Sequence, residues 1–117
     1  MKANILGTEY TIKNVKISEC TLLKENHWSG SCNSVTHEIL IGDPTEEEFF
    51  GNLSEQEQSL VVKETLRHEI IHAFMNESGL QDSWQHAQQF GHDETTVDWF
   101  AIQSPKIFKV FNELDIL

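Results

Sequence analysis

The chain has 117 residues, 38% of them hydrophobic and 23% charged, enough for one soluble domain over residues 1–117 and too little for two. Its 19 acidic and 8 basic side chains leave a formal net charge of -11. A surface that acidic repels phosphate backbones and anionic lipid, which argues against nucleic acid or membrane as the main partner, and it accommodates a bound dication.

The opening MKANILGTEY lacks the apolar stretch of a signal peptide, and no later run is long enough to span a bilayer. The expectation is a cytoplasmic protein with Cys20 and Cys32 as free thiols. "ILGTEYTI" places Ile5, Tyr10 and Ile12 around a Gly-Thr-Glu turn and reads as a hairpin, and Asn14 to Ile17 extend its second strand or begin another. Residues 18–30 are polar and irregular. "SGSCNSVTHEILIG" reads as a second hairpin with Asn33-Ser34 near its turn, closed by Gly42-Asp43-Pro44.

The pattern then turns helical. Ser54 and Glu57 have the spacing of a capping box, and no proline or glycine intervenes before Gly79, so a helix of about seven turns is predicted. A long loop with Trp84, His86 and Gly91 follows. A second helix starts near Asp93 or Glu94 and breaks at Ser104-Pro105. A third carries Ile107, Phe108, Phe111 and Leu114 at helical spacing. Strands first and helices after give an α+β fold, with a small antiparallel sheet and about three helices expected.

The long helix contains His68-Glu69-Ile70-Ile71-His72. At about 100° per residue, His72 lies about 40° around from His68, so both imidazoles can converge on one ion. Zinc takes ring nitrogens at about 2.0–2.1 Å, which adjacent turns can supply. Glu69 lies about 60° from His72, offset to the side, where it suits a proton acceptor better than a ligand. This pattern recurs in metalloproteases, although the five residues alone also occur by chance on core helices.

A catalytic zinc site usually has three protein ligands. Downstream, in "GHDETTVDWFAIQ", Glu94 and Asp98 stand one turn apart on one helical face, with the small Ala101 allowing close helix approach. Glu94 could complete a His-His-Glu site, and Asp98 could accept a hydrogen bond from a ligand histidine. His92 competes for the third position; Glu94 is preferred because it shares a face with Asp98. Trp84 and His86 lie in the loop that could cover the site, where they could contact substrate or stabilise an oxyanion, but they read rather as an ordinary polar loop with one aromatic anchor. Tyr10 could stabilise an oxyanion but reads rather as core, as do Trp99, Phe100 and Met75. His27 and His37 have no partner at ligand spacing.

The pair "RHEIIHAF" and "ETTVDWFA" resembles the small zinc metallopeptidases of the ImmA/IrrE-like zincin group, found on phages and other mobile elements. Glu94, Val97, Asp98, Phe100 and Ala101 match the second motif of that group, and the two N-terminal hairpins resemble short phage-encoded members. The resemblance implies a minimal zincin fold and one zinc ion held by His68, His72 and Glu94. It further implies Glu69 as general base, Asp98 behind a ligand histidine, and a protein or peptide substrate aligned on an edge strand, for which Thr36–Ile41 is the candidate. The alternative is a zincin scaffold that binds zinc without turnover and acts through protein–protein contact.

Overall fold

The computed structural model describes residues 1–80 and 94–117, apart from the side chains at 94, 95, 97, 98 and 101. Strands β1 (Lys2–Ile5) and β2 (Thr8–Val15) pair antiparallel. Between them Leu6 and Gly7 have φ of 52° and 97°, the two-residue turn whose twist suits a hairpin. Asn4 Oδ1 accepts the Gly7 N–H at 2.8 Å. The turn therefore sits at Leu6-Gly7 rather than running on through Thr8 and Glu9, which are already in the strand.

A single 3-10 turn (Ile17–Glu19) and helix α1 (Thr21–Asn26) occupy the stretch that reads as irregular. Strands β3 (Gly30–Asn33) and β4 (Glu38–Gly42) form the second hairpin. Its turn is nucleated where the sequence suggests, since Asn33 Oδ1 accepts from the amides of Val35 and Thr36 at 2.9 and 3.1 Å.

The sheet order is β1-β2-β4-β3. β4 runs parallel to β2, with Thr11 opposite Glu38 and Ile12 opposite Ile39, so the sheet is mixed rather than wholly antiparallel. The chain between β2 and β4, including α1 and β3, is long enough for the crossover that a parallel pair requires. The outcome follows hydrophobicity: Ile39 and Ile41 of β4 are buried at 0% and 1% exposure, whereas β3, with its Gly-Ser-Cys-Asn sequence, takes the edge.

Helix α2 (Glu47–Phe50) is one turn long. Helix α3 (Glu55–Glu77) begins on the expected capping box: Ser54 Oγ accepts from Glu57 N–H at 3.2 Å, and Glu57 Oε2 accepts from Ser54 N–H at 2.7 Å. Gly79, at φ 81°, follows its end. Helix α4 (Glu94–Glu113) is continuous through Pro105, where a break was expected. An interior proline costs about 3 kcal/mol. The buried Ile107, Val110 and Phe111 offset it, each worth about 1.5–3 kcal/mol on burial.

One face of the sheet is dry. Ala3, Ile5, Tyr10, Ile12, Ile39 and Ile41 meet Leu66, Ile70, Ala73 and Phe74 of α3 and the buried residues of α4 in one core. The other face carries ion pairs, such as Lys13 Nζ to Glu38 Oε2 at 2.7 Å. Val110 belongs to the core and Phe108 does not, being 46% exposed. The protein is thus a small α+β fold, and among the described residues no helix is long and apolar enough to cross a membrane.

Candidate metal centre and its cleft

Helix α3 buries one side against the sheet and turns the other into an open cleft of about 990 Å³. His68 and His72 are exposed on the cleft side. Their Nε2 atoms stand 3.1 Å apart and their ring centroids 4.8 Å apart, nearly edge to face. Two ligands of a tetrahedral ion at about 2.05 Å would have their nitrogens roughly 3.3 Å apart. The separation therefore suits one zinc ion, although at this distance one neutral imidazole can equally donate to the other. Burial and the charge of His68 push the His72 pKa below the usual imidazole value, which favours the unprotonated form that binds metal.

Glu69 is the one charged residue buried among the described residues, at 6% exposure. It leaves the imidazole face sideways, as the helical angle predicts, and lies against β3. Burial raises its carboxyl pKa, and the nearby His68 pulls it partly back. A carboxylate shifted upward accepts a proton more readily near neutral pH.

The structure makes room for this carboxylate with a glycine. A Cβ placed on Gly30 would lie 3.1 Å from Glu69 Oε1 and 2.7 Å from Thr65 Cγ2. A glycine inside a strand is a known sign of such close approach, and Gly30 carries that sign in the sequence. Cys32, two residues on, is also in the cleft. Burial, with Glu69 and Glu77 nearby, pushes its thiol up to about 12, which favours the neutral thiol.

The edge strand beside the cleft is β3, not β4. Thr36–Ile41 was the expected ledge, but β4 is paired on both sides, by β2 and by β3. The register accounts for which β3 groups are free. Ser29 O accepts from Gly42 N–H at 2.8 Å, so the bonded pairs continue at Ser31–Leu40. The antiparallel alternation then turns the N–H and C=O of Gly30 and Cys32 outward, away from β4.

Glu94 opens α4, but the side chains of Glu94 and Asp98 lie outside the described residues, as do Trp84, His86 and His92 altogether. Among the described residues no group of three His, Cys, Asp or Glu side chains is placed to hold a metal ion. Trp99 Nε1 donates to Ser78 Oγ at 2.8 Å, which docks the start of α4 beside the end of α3 that follows His72. Trp99 packs on the core as expected, whereas Phe100 is 45% exposed.

Tyr10 is fully buried and donates to Glu77 Oε1 at 2.8 Å. It is a core residue. The His37 ring lies 5.2 Å from the Tyr10 ring, tilted by 60°, with its Nε2 3.8 Å from Glu77 Oε1. His27, in contrast, lines the cleft with Trp28, Phe49 and Phe50; its left-handed backbone at φ 57° ends α1 and turns the chain toward β3.

In comparisons with protein-family models, curated proteins and solved structures, nothing matches this chain.

Proposed function

We propose that the protein is a zinc-dependent metallopeptidase, a small member of the ImmA/IrrE-like zincin group, acting in the cytoplasm. The observation that carries this reading is the pair of Nε2 atoms 3.1 Å apart facing a cleft whose wall holds the buried carboxylate of Glu69. His68 and His72 would hold one zinc ion, with Glu94 as third ligand and Asp98 supporting a ligand imidazole. When bound, zinc supplies Lewis acidity, making water a better nucleophile near neutral pH and polarising a carbonyl.

The chain's own groups do the rest. Glu69 takes the proton of the attacking water on a carboxylate oxygen and returns it to the departing amine. Outward-facing backbone groups of Gly30 and Cys32 would pair with an extended substrate and hold its scissile bond over α3. The substrate is a protein or peptide, and the group suggests a regulatory protein of a phage or mobile element. The net charge of -11 speaks against nucleic acid and anionic membrane as partners.

The test is digestion of a mixed peptide library by zinc-loaded protein, followed by mass spectrometry. Cleavage is expected from the wild type and none from Glu69→Gln, which should keep its zinc. Equal cleavage by both would refute the role of Glu69. Zinc binding with no cleavage by either would favour a scaffold that binds without turnover.

A further inference from the structure

The cleft is chemically uneven along its length. Where β3 begins, Trp28, Phe49, Phe50 and Val61 line it; toward the other end stand Ser34 and Asn76. Trp28 is 50% exposed, with Phe49 and Phe50 half-buried behind the cleft surface. A side chain that covers these rings removes apolar surface from water on both partners.

Charge adds a second selection. Glu64 is exposed on the cleft wall one helical turn before His68, and no lysine or arginine is among the described residues that line the cleft. With Glu69 also in the wall and a net charge of -11 over the chain, an acidic segment is repelled and a basic one attracted.

Spacing joins the two. Val61 and Glu64 are three residues apart on α3 and so share a face, about 4.5 Å apart along the axis. In an extended peptide, residues i and i+2 point to the same side about 6.7 Å apart. A strand added to the outward-facing groups of Gly30 and Cys32 would present two same-side side chains, one to the apolar end beside Val61 and one to Glu64. The long glutamate and lysine or arginine side chains take up the difference of about 2 Å.

We propose that the cleft selects an extended peptide with a bulky apolar residue seated against Trp28 and Phe50 and a lysine or arginine two positions away paired with Glu64. This names the substrate class of the metallopeptidase site and rests on that reading for the cut, whereas the binding preference stands on the cleft alone.

The probe is a randomised decapeptide library captured on zinc-loaded Glu69→Gln protein and read by mass spectrometry. The expected result is roughly fivefold or greater enrichment of Phe, Leu or Met two positions from Lys or Arg. Glu64→Lys should shift the charged preference to Asp and Glu, and Trp28→Ala should remove the apolar preference. Both positions are exposed, and circular dichroism of each variant checks its fold. No enrichment, or the same enrichment in Glu64→Lys and Trp28→Ala, overturns the proposal. Wild-type protein that binds the enriched peptides without cutting them would remove the peptidase reading and leave this preference in place. Cutting without the preference would do the reverse.

Discussion

Replacing Gly30 with alanine probes the contact that holds Glu69 against the sheet. Gly30 lies in β3 and does not have positive φ. At such a position alanine ordinarily stabilises by about 0.4–1 kcal/mol, because the unfolded chain loses freedom. Here the new Cβ would stand 2.7 Å from Thr65 Cγ2, 3.0 Å from the Leu40 carbonyl oxygen and 3.1 Å from Glu69 Oε1, whereas unstrained carbon contacts lie near 3.5–4.0 Å. Overpacking of this kind costs about 1–3 kcal/mol. The two effects oppose each other, and the net expectation is a loss of about 1–2 kcal/mol in urea denaturation followed by circular dichroism. Removing the closest obstacle with Thr65→Ala should restore about 0.5 kcal/mol or more beyond additivity. If Gly30→Ala is as stable as the wild type, or more so, Glu69 is not packed over β3 and the geometry assigned to the site is wrong.

Tyr10→Phe removes the hydroxyl that donates to Glu77 at 2.8 Å. A hydrogen bond to a charged partner from a buried ring should cost about 1.5–3 kcal/mol in the same denaturation assay, and a loss below about 0.5 would contradict the contact. The Cys32 thiol, pushed up to about 12 from an ordinary 9.0, should hold roughly a thousandfold less thiolate at pH 8. In a Cys20→Ser background it should therefore react far more slowly with a disulfide reagent in the native protein than after unfolding; equal rates would refute its burial. Hydrogen bonds from Ser18 and Ile17 hold the Glu46 carboxyl below its usual range. A depressed carboxyl pKa stabilises above the unfolded value, about 4.3, and that contribution is lost as pH falls through the folded one. Acid titration should show a shallower loss of stability below about pH 4 in Glu46→Gln, and an unchanged slope would argue against the clasp.

The elements with local signals were legible in the sequence. The box at Ser54 and Glu57 and the stop at Gly79 bracket α3 because both act within one turn of the chain. The angular placement of His68, His72 and Glu69 followed from helical period alone, and the structure brings the two imidazoles together as that period requires. Long-range pairing was not legible. Nothing local in "THEIL" says that β4 will lie parallel to β2 and leave β3 at the edge, so the candidate ledge fell on the wrong strand. Pro105 misled for a related reason: a proline signals a break locally, but core contacts far away in sequence hold α4 on both sides of it, Trp99 before and Ile107, Val110 and Phe111 after. The grouping of Gly30, Trp28 and Phe50 was not legible, because the cleft wall is assembled from three segments far apart in sequence, none with a motif of its own.

The central claim is that His68 and His72 hold a metal ion. It is tested most directly by measuring zinc bound to tag-free protein after equilibrium dialysis, for the wild type, His72→Ala and Glu94→Ala. The account predicts about one zinc per chain in the wild type, none in His72→Ala, and affinity weakened about tenfold or more in Glu94→Ala. A wild type that takes up no zinc, or a His72→Ala variant that binds it equally well, would contradict the account and return the two histidines to the surface of an ordinary helix.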